Sequence, residues 1–149
     1  MKHLQRTLIG IFAIAIAHAS AAELKYSVVP NFFDKAPDNQ QLGPCHGGAV
    51  IDKAGNIYVT TDTARGIVVF SPEGKFVRAF GPVKIHGLEI REENGAEYIY
   101  AARGAEGEVL KMKLDGAVEW SMKTPMESGL YPDGKGFNPC AVTDRKSVV

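Results

Sequence analysis

The sequence is poor in the marks of familiar chemistry. It has no HExxH, no GxSxG elbow, no GxxxxGK[ST] loop and no CxxC, so the usual sequence signs of zincins, α/β-hydrolases, P-loop enzymes and paired-thiol sites are missing. Cysteine is scarce: Cys45 and Cys140 are the only 2 in 149 residues. Their spacing fits no metal or disulfide framework, and only an oxidising compartment argues for a bridge between them. Charge of one sign is not in excess, with 17 basic against 17 acidic residues. That balance offers no general attraction for nucleic acid. The one long apolar run lies near the start and is too short to cross a bilayer as a stable helix, and no second one follows. No later segment repeats its apolar residues at 3.6-residue spacing, which argues against a helical solenoid.

The one apolar run belongs to a leader. Residues 1–21 have a basic front at Lys2 and Arg6, the apolar run Leu8 to Ala17, and then small residues in AHASAA. This is the pattern of a secretory signal peptide cleaved after Ala19 or Ala21, and it implies an exported, periplasmic or extracellular protein. Its removal leaves a slightly acidic chain with no membrane span.

What the rest contains is a repeat. Cys45 to Gly81 packs four short strand-like runs, Gly47–Asp52, Asn56–Thr61, Gly66–Ser71 and Lys75–Gly81, between the turn signals AGN, DTARG and PEG. A second copy starts forty residues on, HGLEIRE at His86 answering HGGAVID at His46. EYIYA then answers NIYVT, GEVLKMKLDG answers GIVVFSPEGK, and AVEWSM answers FVRAFG. A third start, NPCAVTD, follows at Asn138. Four-stranded repeats of roughly 40 to 50 residues predict β-propeller blades. The expected fold is all-β: blades of four antiparallel strands at 46–85 and 86–137, and the opening of a third at 138–149. Residues 22–45 supply an N-terminal strand, ELKYSVVPNFF, placed to close a ring, and a polar linker. Closed propellers need about four to eight blades, so the chain is expected to be a fragment, with self-assembly of three copies as the competing account.

DKAGNIYVTTDTARGIVVFSPEGKFVRAFG resembles the NHL repeat nearly position by position, and the two copies cover Gly43 to Met122. The resemblance implies a propeller of the six-bladed type and leaves function open, because NHL propellers serve as receptors, RNA binders, kinase ectodomains and metal-dependent lyases. A narrower similarity lies in CHGGAVID and IHGLEIR, which look like the PHGLTID-type motif of peptidyl-α-hydroxyglycine amidating lyases. In those propellers histidines at the starts of inner strands hold zinc. The resemblance implies His46 and His86 as metal ligands, for zinc or another divalent ion; no position here matches that family's third histidine, catalytic tyrosine or arginine.

The residues themselves leave two roles for this pair. Equivalent positions in neighbouring blades point at one axis, where two imidazoles suit a borderline divalent metal. A histidine at a strand start can also cap the turn before it. Blade geometry gathers the linker before His46, the DTAR turn, the turn before His86, the ARGAEG turn and the insertion Lys123–Phe137 at one end of the sheets, the usual place for a site on a rigid scaffold. Arg65 and Arg103 lie in those turns and are candidate anion-binding groups, with pairing to nearby acids as the alternative. Asp62 is expected to form its turn, and Phe70, Phe76, Phe80 and Trp120 to pack between blades. The functional expectation is a scaffold that binds a small molecule, peptide or protein through this loop face, the alternative being a metal-dependent lyase or hydrolase.

Overall fold

The computed structural model describes residues 25–33, 42–45 and 47–143. Residues 1–24, where a leader is expected, 34–41, His46 and 144–149 lie outside the described residues. Two sheets make up the fold. The first contains β1 (Ala49–Ile51), β2 (Ile57–Thr60), β3 (Ile67–Phe70) and β4 (Phe76–Phe80); the second contains β5 (Gly87–Glu93), β6 (Ala96–Arg103), β7 (Glu108–Lys113) and β8 (Val118–Lys123). Each is antiparallel, with its strands in sequence order. Helix among the described residues is limited to single 3₁₀ turns at Gly104–Glu106 and Met126–Ser128. The fold is all-β and blade-like, an incomplete propeller arrangement.

Turn chemistry sets the strand ends. The β1–β2 turn is built on Asp52, whose carboxylate accepts the Asn56 backbone N–H and side-chain amide at 2.8 Å and the Tyr58 hydroxyl at 3.0 Å. Burial pushes this carboxyl up, but those hydrogen bonds prevail and hold it below the usual carboxylate range. Between β5 and β6 the two-residue loop Asn94-Gly95 has φ of 51° and 83°, the positive pair that a tight hairpin turn demands.

The ladder corrects the sequence alignment of the two copies. Tyr58 and Ile99 occupy the same inward position, and their partners across the ladder are Val69 and Met112. GEVLKMK is therefore shifted by two residues against GIVVFSP, which keeps the alternation intact and lengthens the second hairpin. Both outer strands carry a bulge at their second residue, Val77 in β4 and Glu119 in β8 being skipped by the pairing.

The sheets pack face to face over one core. Tyr58, Ile67 and Val69 of the first meet Ile99, Ala101, Leu110 and Met112 of the second, with Ile85 from the connecting segment and Phe80 at the margin. Ile67, Val69, Ile99, Ala101 and Met112 are fully buried, and burying each of the larger ones, Ile67, Val69, Ile99 and Met112, stabilises the fold by about 1.5–3 kcal/mol. Phe80 thus packs between blades as the sequence suggested. Phe70 and Phe76 do not, because their strand positions turn them to the opposite face, where they pack with Val59, Val68, Ile57 and Leu42.

Two expectations for the chain ends need correction. Lys25–Phe33 forms no strand: the chain turns at Pro30–Asn31, with Asn31 at φ 54°. Val28 stays 90% exposed, and Phe33 lays its ring on Phe70 at a centroid distance of 4.5 Å. The segment covers the far face of the first sheet instead of extending a ladder. Asn138–Thr143 is also not a strand, because no second strand pairs with it among the described residues. It nevertheless lies where a third blade would begin. A Cβ on Gly87 would meet the Cys140 carbonyl oxygen at 2.7 Å, just as one on Gly47 would meet the Ile85 carbonyl oxygen at 2.7 Å. Both glycines therefore allow a close backbone approach, each against the start of the following unit.

Candidate functional site at the cleft between the sheets

Three loops converge at one end of the two sheets. The β2–β3 turn is tightened by the Thr61 N–H donating to Gly66 O at 2.7 Å and by the Thr61 and Thr63 hydroxyls bonding to each other at 2.7 Å. It grips the incoming linker twice: the Asp62 N–H donates to Pro44 O at 2.9 Å, and Arg65 Nη2 donates to Leu42 O at 3.0 Å. The second unit repeats the device. Arg103 Nε donates to Val83 O at 3.0 Å and Nη1 binds Glu108, so each turn arginine holds a carbonyl of the linker that leads into its own unit.

These contacts give both arginines a structural job. Glu108, almost fully buried, also takes the Lys123 ammonium at 3.0 Å. Burial raises the Glu108 carboxyl, and the hydrogen bonds from Lys123 and Arg103 outweigh it, leaving the group below the usual range.

Between the two turns runs the connecting segment Pro82–His86. His86 is fixed at its backbone, its N–H donating to Ala102 O at 2.8 Å. Lys84 adopts φ 61°, the left-handed region that a side-chain-bearing residue enters at a cost of about 1 kcal/mol or more. Its ammonium reaches Glu106 Oε1 at 2.7 Å. That hydrogen bond and the charge behind it hold the Glu106 carboxyl below its ordinary value. Asp62, Lys84, Ile85, His86 and Ala105 together line a cleft of about 220 Å³. Its floor is apolar, with Ile85 3% exposed, and its rim carries a carboxylate, an ammonium and an imidazole.

Among the sequence candidates, His86 lines this cleft and Asp62 faces it from the first unit. Arg65 and Arg103 are not among its lining residues and bond linker carbonyls instead, and His46 lies outside the described residues. No group of three or more His, Cys, Asp or Glu side chains suited to a metal occurs among the described residues. Cys45 and Cys140 are unbridged and exposed. Burial and the Asp62 charge raise the Cys45 thiol, partly offset by Arg65, and it donates to Gly43 O at 3.2 Å. Lys84 escaped the sequence reading, since nothing in PVKIH marks a lysine in a glycine-like conformation. Asp62 was visible there only as a turn former.

No family model matches this chain, and no curated protein matches it.

Proposed function

We propose that this chain is an exported binding module of the NHL propeller type, which takes a small molecule at the cleft where the loops of its two units meet. The observation that carries the reading is the convergence of Asp62, Lys84, His86 and Ala105 on one cleft from three separately anchored loops. Such a place, concave, with an apolar floor and a few fixed polar groups, is where rigid scaffolds bind ligands. Lys84 supports the same reading, because backbone strain concentrates at sites where a side chain must be aimed. Amide shift mapping of the full chain with a library of small polar molecules tests it. Saturable shifts confined to Asp62, Lys84, His86 and Ala105 are expected, and a library that moves none of them would refute it.

The alternative, a metal-dependent lyase or hydrolase, draws on the resemblance of His46 and His86 to the amidating-lyase motif. One observation favours keeping it: an imidazole and a carboxylate, His86 and Asp62, line the same cleft, and this nitrogen and oxygen donor pair fits zinc or a similar divalent ion. A bound ion would polarise a substrate oxygen or activate water. Elemental analysis separates the readings, since this one expects a stoichiometric ion in the purified chain that is lost in His86→Ala.

A further inference from the structure

We infer that a second copy of this chain docks on the open edge of β8, strand against strand, so that the second sheets of two copies join into one. The inference is independent of what the cleft binds. β8 is the last strand of its sheet, every one of its residues is exposed, and no strand pairs with its outer side among the described residues. The matching edge of the first sheet is flanked by the second unit: Arg78 of β4 donates from Nη2 to Leu114 O at 2.8 Å, and a Cβ on Gly116 would lie 2.5 Å from the Phe80 ring. The ladder fixes which backbone groups of β8 are left over. Lys113 N–H donates to Ala117 O at 2.9 Å, and bonds between antiparallel strands recur at alternate residues, next at Lys111 and Val109. Their partners are Trp120 and Met122. Ser121 and Lys123 therefore turn their N–H and C=O groups to the open side, a row that recruits another strand.

The strand that fits this row is β8 itself, running antiparallel about a two-fold axis at Ser121. Ser121 then lies opposite Ser121 of the second copy, and Trp120 lies opposite Met122 twice over. Trp120 and Met122 stand on one face of the sheet, 38% and 51% exposed, and a thioether against an aromatic ring is a favourable contact. Glu119 falls opposite Lys123 at both ends, a pairing of unlike charges. Their own-chain partners, Lys113 and Glu108, stay in place, so the charges select the register while the backbone bonds and the Trp120–Met122 contacts supply the attraction. A slip of the register by two residues sets Trp120 against Trp120 or Met122 against Met122 and loses both charge pairs. The bulge at Glu119 confines the pairing to Glu119–Lys123.

Sedimentation velocity on the full chain across a dilution series, with a set of variants, tests this. The parent is expected to be a dimer that dissociates on dilution. Ser121→Pro deletes an N–H that faces the open side and spares the β7–β8 ladder, so a folded monomer is expected at every concentration. With Cys45→Ser and Cys140→Ser in place, Ser121→Cys should bridge two copies under mild oxidation, because hydrogen-bonded partners lie about 5.5 Å apart between Cα atoms, within the span of a disulfide. Bridging should be several-fold faster than for Leu130→Cys, an exposed thiol in the insertion. Should Ser121→Pro lose its fold, the two bridging rates decide. A parent that is monomeric throughout, a trimer, a dimer that survives in folded Ser121→Pro, or equal bridging rates would overturn the inference, and each of these leaves the binding module standing.

Discussion

The two sheets share one core yet differ on their far faces. Where the first sheet turns Ile57, Val59, Val68 and Phe70 outward, the matching ladder positions of the second hold Tyr98, Tyr100, Lys111 and Lys113. The first set is covered by Leu42 and the Phe33 ring. The second carries its own polar arrangement: the Lys111 ammonium sits 4.1 Å from the Tyr98 ring centroid and 2.6 Å from Glu93, which also accepts the Tyr100 hydroxyl. Trp120 stands edge-on to Tyr100 at 6.0 Å and stays 38% exposed. The same backbone plan thus supports an apolar face that needs a cover and an amphipathic face that tolerates water. What joins the two is the shared core, so damage there should unfold both sheets and damage on a far face should not.

The largest expected effect follows directly. Ile99→Ala opens a cavity in the shared core and should destabilise the chain by about 3 to 4 kcal/mol, with both sheets lost in a single denaturant transition. Two transitions would break the comparison by making the sheets independent. Next in size are the two arginine clamps. Arg103→Ala leaves the nearly buried Glu108 with Lys123 alone and also gives up the bond to Val83 O, and should cost about 2 to 3 kcal/mol, against about 1 kcal/mol for Arg65→Ala, where the hydrogen bond to Leu42 O is lost. Equal costs measured by urea denaturation would mean that Glu108 does not distinguish the two units. Phe33→Ala uncovers only part of the first sheet's far face, and about 1 to 2 kcal/mol is expected from the area involved.

The acid and alkaline limits separate the sheets more finely. Asp52 in the first and Glu108 in the second both have depressed folded-state values. Their contribution is therefore present above the unfolded carboxylate range, about 4, and is lost as pH falls through the folded values. Tyr58 behaves in the opposite sense. Burial, with Asp52 beside it, pushes its hydroxyl up to about 12, so its contribution is intact below the unfolded value of about 10 and is lost as pH rises between the two. Tyr58→Phe should remove that alkaline loss while leaving the acid loss at Glu108 in place. Urea midpoints at pH 3, 6 and 11 read both changes, and an unaltered alkaline slope in Tyr58→Phe would contradict the buried Tyr58–Asp52 bond.

Much of the fold was legible because its signals are local. Alternating runs between the AGN, DTARG and PEG turns and their copies set the eight strands, and the forty-residue repeat from His46 to His86 set their grouping. What escaped was tertiary. The two-residue shift in the second hairpin depends on which alternate side chains meet across the sheets, and parity alone cannot distinguish a shift of two from none. ELKYSVV has strand composition, but a strand also needs an edge to pair with, and its Phe33 gains more by covering Phe70. At the site, the repeat located the loops and His86. It could not say that Arg65 and Arg103 turn back onto linker carbonyls, nor that Lys84 takes a left-handed backbone, since both depend on where a distant segment comes to rest.

Native-state hydrogen exchange on the parent and on Ile99→Ala tests the shared core most directly. The amides of β2 and β3 and those of β6 and β7 should exchange with the same opening free energy in the parent. Both sets should fall together in the variant, although the substitution lies in the second sheet alone. A first sheet that keeps its protection while the second loses it would contradict the account, and would make the two four-stranded units separate bodies.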